Sequence, residues 1–511
     1  MRTDANRRWL LLALGIGALL RLGLIAQGGQ FYFGDEGRFL RSVLLYRSLL
    51  DGDGALAAKA IASPIHAGFT YAGALIAAPV HLAALGMGLG DWTQAVQVRT
   101  AAPLFATALG FFSVLNIALV HRLVRTAGGD EAEAGLAALL SAVVASLTYY
   151  ARHLLPYDLA LTAALVGLIL AAGPPGRARA LLAGAAGGLS FTLYNGYWFL
   201  VPVISLATVL SAPDRTGRLR AAGFSCFGAV SALGLVMLPG FWCAGADYGR
   251  EFLAFSGTAT QGLFAEGWRL PFAYFGAAEG PLGAAAAVGI LWSLRPGQPK
   301  PRRLRLWVCL ATATYLLLVA CSTGLEKFVV YGRSVRPLTV LGCLLAGYAA
   351  AQLWRRWPRA RLLLIGTILA LGVTNLIPHY RLSFPAAVKE QVWSMHGIPK
   401  LGLSFSGVNL TESWPPVTRP DLLLIDPVGL FPLRAHLPEP AGEVLAAWRH
   451  PHAVAAYQFE GHSPRERRLL QAHPPAIRLL RLAQPAGVPD QPPPELQLLR
   501  GELPDGYDRT R

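Results

Sequence analysis

Long, nearly uncharged apolar runs recur along the chain from Leu10 to about Ile377. Each approaches the ~20 residues that a helix needs to cross the hydrocarbon core of a bilayer. The pattern predicts helices over 9–27, 100–120, 134–150, 158–173, 179–194, 197–212, 220–242, 281–294, 305–321, 337–354 and 361–377. With the apolar run at 67–86 this makes an all-α polytopic membrane protein of about 11–13 transmembrane helices. The first run follows Arg2, Arg7 and Arg8. It is long for a signal-peptide core and lacks a convincing small-residue cleavage site, so it reads as a retained first helix.

Composition supports that class. Of 511 residues 54% are hydrophobic and 14% charged, whereas soluble domains carry roughly 25% charged residues. A net charge of +16 would suggest nucleic acid in a soluble chain, but here the arginines collect in short loops between apolar runs. Arg122/Arg125, Arg177/Arg179, Arg215/Arg218/Arg220, 295–305 and 355–361 follow the positive-inside pattern. The N-terminus is then cytoplasmic and everything after about Pro378 outside. Five lysines among 45 basic residues, with abundant Ala and Gly, fit a GC-rich bacterial genome and hence an inner (plasma) membrane. The five cysteines lie in or beside apolar runs without metal-ligand spacing, so no disulfide framework or zinc site is indicated.

One segment breaks the alternation. A full crossing by 67–86 would put every later arginine loop on the wrong side, so 67–98 is expected to be re-entrant, interfacial or a short pair of crossings. Two domains follow: 1–377, with 28–66 as its first outer loop, and an outer 378–511. The stretch Glu36–Leu50 is amphipathic and suits a helix lying on the membrane surface, with Arg38, Arg41 and Ser48 on one side. A further outer segment covers 244–280. In the C-terminal part DLLLID (421–426), AVAAYQF (453–459) and AIRLLRL (476–482) read as strands. With a helix over 465–472 they outline a small extracytoplasmic α/β domain with a Pro-rich tail. No internal repeat is evident, which argues mildly against a two-halved transporter.

Three positions could carry chemistry. FGDEGRFLR (33–41) places Asp35 and Glu36 at the outer membrane face, with Arg38 following. The acids could cap a helix, or a partly buried carboxylate could act as general base on a hydroxyl. Asp158 in RHLLPYDLALTAAL heads a helix on the same side, either as a cap or as a functional acid. EKFVVYGRSVRPL (326–338) puts Lys327, Arg333 and Arg336 outside, against the positive-inside trend. Such cations suit a lipid phosphate, and the plainer reading is headgroup contact or pairing with Glu326. Arg250, Arg269 and Glu279 are secondary, and Tyr194, Tyr197 and Trp198 read as an interfacial aromatic belt. Asn409 heads a formal glycosylation sequon that reads as accidental in a bacterial chain. No nucleotide-binding loop, HExxH or nucleophile elbow is present.

A DE pair after the first helix, a second Asp heading a later helix and an outer R-x-x-R-P together resemble the GT-C glycosyltransferases. The nearest subgroup is that of the dolichyl-phosphate-mannose protein mannosyltransferases and aminoarabinose (lipid A) transferases. The resemblance covers roughly 9–380. It implies inverting transfer of a sugar from a polyprenyl-phosphate carrier to an acceptor (protein, lipid or polysaccharide) on the periplasmic face. It further implies Asp35 as catalytic base with Glu36 and Asp158 beside it, and Arg38, Lys327, Arg333 and Arg336 on the donor phosphate. Where the family has Lys-Pro or His-Pro this chain reads Ala62-Ser63-Pro64-Ile65-His66, which leaves Lys59 or His66 as the substitute cation. No nucleotide is required, and Asp35, Glu36 and Asp158 could ligate a divalent cation, as in some relatives but not others. The competing readings are a polyprenyl-diphosphate glycan ligase, a transporter or lipid flippase, and a scaffold.

Overall fold

In hydrocarbon a backbone N–H finds no water, so an apolar run must close its hydrogen bonds internally as a helix. The computed structural model describes residues 2–27, 30, 36, 38–89, 98–259, 268–296, 300–325 and 332–381, with two short strands beyond. The helices are α1 (Arg2–Ala26), α2 (Phe39–Asp51), α3 (Gly54–Ile61), α4 (Ala67–Gly86), α5 (Val98–Thr126), α6 (Glu131–Val143), α7 (Ala145–Thr148) and α8 (Tyr157–Ala172). They continue as α9 (Arg177–Leu193), α10 (Leu200–Ser211), α11 (Arg215–Ala244), α12 (Ala246–Ala259), α13 (Leu270–Leu294), α14 (Arg302–Val319), α15 (Gly332–Arg356) and α16 (Arg361–Arg381). Of the expected outer domain, only β1 (Leu422–Leu423) paired antiparallel with β2 (Leu480–Arg481) falls among the described residues.

Among the described residues seven helices are long and apolar enough to cross a membrane, or eight if the bent pair α6–α7 is one span. This is fewer than the 11–13 expected because Pro and Gly shorten several apolar helices. The 16 residues of α8, set between Pro156 and Gly173, rise only about 24 Å at 1.5 Å per residue. The outward surface of the bundle is apolar, as lipid contact demands: Leu19, Leu235 and Leu362 are 73–79% exposed. Inside, α15 is the hub, with 78% of its apolar window buried, against 17% for α11.

Neighbouring helices sort the bundle into two ends. A Cβ on Gly17 would meet Ile117, and Arg21 bonds Ser113 further along, so α1 and α5 run antiparallel. The chain therefore leaves α1 and enters α5 at the same end. The segment between them therefore makes no net crossing, as the sequence suggested, and within it α4 is one continuous 20-residue helix whose length and hydropathy would suit a membrane span. At one end sit Trp9 against Trp354, Glu133 with Arg303 at 3.0 Å, and the Asp130–Arg355 pair. This is the end of the arginine loops. At the other end lie Glu36, Arg38, His66, His153, Asp158, Glu279, Arg333 and Arg336.

The helix expected over 134–150 is broken. Val144 is extended (φ −66°, ψ 130°), and the chain turns by 70° into α7. A break inside a bundle exposes C-terminal carbonyls on one side and N-terminal N–H groups on the other. Both sets are answered by charge. Arg21 donates through Nη1 to Ala142 O (3.0 Å), through Nη2 to Ser141 O (3.4 Å) and through Nε to Ser113 Oγ (2.7 Å). Glu279 accepts the Ala145 N–H (3.0 Å), the Ser146 N–H (2.9 Å) and the Ser146 hydroxyl (2.6 Å). Each charge also has the sign that its helix dipole favours. Glu279 belongs to α13, which starts at Leu270 and kinks at Gly280 (φ 46°, ψ −126°) before Pro281. The outer segment expected over 244–280 is accordingly largely helical, and the predicted helix 281–294 is the second half of α13.

The surface helix α2 buries serines together with its apolar residues. Phe39, Ser42, Val43 and Ser48 are buried, while Leu49 and Leu50 are exposed by more than half. Small serines let α4 approach: a Cβ on Gly73 would lie 2.3 Å from Ser42 Oγ. The exposed leucines suit a lipid boundary.

The parallel helices α9 and α11 approach through glycines. A Cβ on Gly184 would fall 1.8 Å from Ser225 O, and one on Gly228 2.0 Å from Leu181 O, both obstacles being backbone. Gly223, also on α11, faces open space. We predict that Gly184→Val or Gly228→Val destabilises the bundle by about 1–3 kcal/mol, seen as a lower melting temperature in detergent, while Gly223→Val leaves it nearly unchanged. Equal melting of all three variants would contradict this close crossing.

Candidate active site

The site is assembled on the segment that follows the break. Tyr149–Arg152 form a 3-10 turn, and Pro156 then starts α8. Glu36 anchors this segment from the first outer loop. Fully buried, it accepts hydrogen bonds from His153 Nδ1 (3.0 Å) and the Leu154 N–H (2.7 Å). In a neutral ring with Nδ1 donating to the carboxylate, His153 Nε2 is the acceptor nitrogen and receives the Tyr149 hydroxyl at 3.0 Å. Glu36 does not cap α2, whose N-cap position is Arg38 without a side-chain cap bond. Its partner in sequence, Asp35, lies outside the described residues, as does Lys327.

Asp158, 6% exposed, sits in the first turn of α8 and pairs with Arg336 of α15 at 2.5 Å. Arg336 is fully buried, also donates to Leu147 O (3.3 Å) and lies over the Tyr150 ring at 5.3 Å. Its Nε and Nη1 have no hydrogen-bond partner among the described residues, and neither does the buried Tyr197 hydroxyl. One helical turn earlier on α15, Arg333 donates to the Tyr157 hydroxyl at 2.9 Å, with its guanidinium 5.9 Å from that ring's centroid.

Arg38 joins the cluster through His66. The His66 N–H donates to Asn195 Oδ1 (2.8 Å), and the Asn195 N–H donates to His66 Nδ1 (3.1 Å). Nδ1 is thereby the acceptor, so a neutral ring carries its proton on Nε2. That nitrogen lies 2.9 Å from Arg38 Nη1, which can only donate. Arg38 and His66 thus stand together as two N–H-bearing side chains, a pairing suited to an oxyanion. His66 holds this position with a left-handed backbone (φ 55°, ψ 40°), a conformation that costs a non-glycine residue roughly 1–2 kcal/mol.

Aromatic rings connect the cations. His66 packs on Tyr194 (5.1 Å), Tyr194 on Tyr157 (4.7 Å), Tyr157 on Tyr150 (5.3 Å) and Tyr150 on Tyr149 (5.2 Å). Tyr194 and Tyr197 are thus buried in the wall of the site, not set in the interfacial belt expected of them, because Asn195–Tyr197 form a 3-10 turn that carries both rings inward. The structure brings together Arg38, His66, Asp158, Arg333 and Arg336 on a tyrosine floor, with Glu36 behind it. Of the secondary candidates, Lys59 is exposed at the end of α3, Arg250 pairs with Asp247, and Arg269 lies over Trp268. Of the three acids considered for a divalent cation, Glu36 serves His153 and Leu154, Asp158 serves Arg336, and Asp35 lies outside the described residues. No group of three candidate ligands occurs among the described residues.

No family model matches the chain, and no curated protein does. Among solved structures it is similar to the Archaeoglobus fulgidus oligosaccharyltransferase in its apo form, at 14% identity and a TM-score of 0.44 over 76% of this chain and 58% of that one. It is also similar to that protein's complex with Zn and sulfate, at 13% identity and a TM-score of 0.41 over 76% and 55%. The chain spans little more than half the length of these structures.

Breaking a buried ion pair leaves an uncompensated charge at a cost of about 3–5 kcal/mol, whereas replacing both partners is milder. Arg336→Met alone should therefore lower the melting temperature more than the double variant Asp158→Leu/Arg336→Met does. Additive losses in thermal unfolding would contradict the pairing.

Proposed function

We propose that the chain is an integral membrane glycosyltransferase that moves a sugar from a polyprenyl-phosphate carrier to an acceptor at the outer membrane face. The observation that carries this is the Arg38–His66 donor pair, tied through Tyr194 and Tyr157 to Arg333. Donors converging at headgroup depth, on an aromatic floor and far from the arginine-rich loops, suit a phosphate that must be held and then released. By the positive-inside rule the arginine-rich end is cytoplasmic, which sets the site on the periplasmic side of a bacterial inner membrane. Residues 1–377 then form the catalytic domain, and 378–511 lie on the acceptor side.

The acceptor hydroxyl oxygen attacks the anomeric carbon from the face opposite the phosphate, forming the new glycosidic bond with inversion. The anomeric C–O bond to phosphate breaks, and polyprenyl phosphate leaves with the electron pair. Asp35 takes the hydroxyl proton. Arg38, His66 Nε2–H and Arg333 stabilise the charge developing on the leaving group, Lys327 serves as a further cation, and Arg336 offers its remaining donors. Asp158 orients Arg336, and Glu36 fixes the turn that carries Tyr149 and Tyr150. The acceptor is a protein, a lipid or a polysaccharide.

Purified protein in lipid, given a panel of polyprenyl-phosphate sugars with cell-envelope extract as acceptor, is expected to release polyprenyl phosphate detectable by mass spectrometry. Asp35→Asn should lower that release by a factor of ~10² or more without loss of fold, and Arg38→Gln should weaken donor use in the same assay. Full release by Asp35→Asn would overturn the base assignment. Release only from diphosphate-linked glycans would overturn the donor class, and no release from any donor would overturn the reading as a whole.

A further inference from the structure

A second polar cluster gathers around Arg41 of α2. Arg41, one turn beyond Arg38, is half-buried and makes no hydrogen bond or ion pair among the described residues. Burial and the neighbouring Arg38 lower the pKa of its guanidinium, with Glu251 and Tyr248 of α12 opposing them. Tyr248 is fully buried, and its ring packs on Phe241 at 4.8 Å. The Tyr248 hydroxyl has no hydrogen-bond partner among the described residues, and the Tyr71 hydroxyl of α4 has none either. Burial raises the Tyr248 pKa, with Tyr71 and Glu251 adding to the rise. At the exposed rim the Ser63 hydroxyl donates to Glu251 Oε1 at 2.6 Å, tying the α3–α4 connection to α12.

Buried hydroxyls are normally hydrogen-bonded, so two buried phenol oxygens without partners among the described residues, with a half-buried arginine acting on one of them, mark a ligand's position. The ligand's chemistry follows from the charges. Glu251 cancels Arg41, so a second phosphate would face a carboxylate. A neutral polyol, by contrast, offers oxygens to Arg41 and hydroxyl protons to Glu251, while each phenol can donate or accept. We infer that Arg41, Tyr71, Tyr248 and Glu251 form a subsite for the hydroxyls of a carbohydrate unit, next to the phosphate-binding cations.

Saturation-transfer NMR on the full chain in lipid nanodiscs tests this, with methyl α-D-mannopyranoside and methyl α-D-glucopyranoside as probes, inorganic phosphate as the anionic control and empty nanodiscs as blank. No donor is present, so the outcome is separate from that of the transfer assay. Ring-proton signals are expected for at least one glycoside. They should weaken roughly fivefold in Tyr248→Phe and in Arg41→Gln, the affinity carried by one net hydrogen bond. Tyr248→Phe removes a single oxygen, and an unchanged melting temperature would show that its loss of signal is local. Absence of glycoside signals in the wild type, equal signals in both variants, or Arg41-dependent binding of phosphate alone would overturn the inference.

Discussion

Everything at the functional end depends on one broken helix. An unbroken run from Glu131 to Tyr150 would carry its residues straight out of the bundle. Instead the chain turns by 70° at Val144, because Arg21 bonds the last carbonyls of α6 and Glu279 bonds the first N–H groups of α7. Unsatisfied backbone groups inside a membrane bundle cost several kcal/mol each, so the bend is tenable only with both charges in place. Arg21 and Glu279 are themselves charges removed from water, and the exposed helix ends are what make them tolerable there. Clamp and break hold each other in place.

From this bend follow the positions of the tyrosines, His153 and Asp158. Three long-range contacts then fix the segment against its surroundings: Glu36 to His153, Asp158 to Arg336 and Arg333 to Tyr157. They tie the first outer loop, α8 and α15 into one end of the bundle, so a shift in any of them moves the others. The cations lie on this end while the positive-inside arginines occupy the opposite one. That separation keeps the phosphate-binding charges from competing with the charges that set topology.

Much of the helical order was legible in the sequence, because a membrane span is written in uninterrupted apolar residues and few other signals compete with it. The break at Val144 was not, since Ala-Val-Val-Ala-Ser contains neither Pro nor Gly and the partners that stabilise the break come from α1 and α13. Arg21 is the one charge within the first apolar run, yet a sequence does not show which carbonyls it meets. Asp158, Arg333 and Arg336 were visible as ionisable groups at helix ends, and their shared location agrees with that reasoning. Arg152 and His153 carry the same signal, ionisable groups at the end opposite the arginine loops, and applying the test to them would have marked both as candidates for the site. Tyr194 and Tyr197 looked like an interfacial belt because aromatic residues at a helix end serve either purpose, and only the 3-10 turn at Asn195 turns them inward.

The central claim is that charge at the break organises the site. It is tested most directly by hydrogen–deuterium exchange of Glu279→Gln in lipid nanodiscs, followed peptide by peptide. Glutamine keeps the shape but weakens the acceptor for the Ala145 and Ser146 N–H groups. Exchange across 145–158 should rise roughly tenfold or more, as expected when a local opening loses 1–3 kcal/mol, while 98–126 stays protected. Unchanged protection across 145–158 would show that the turn stands without its clamp, and the claim would fail.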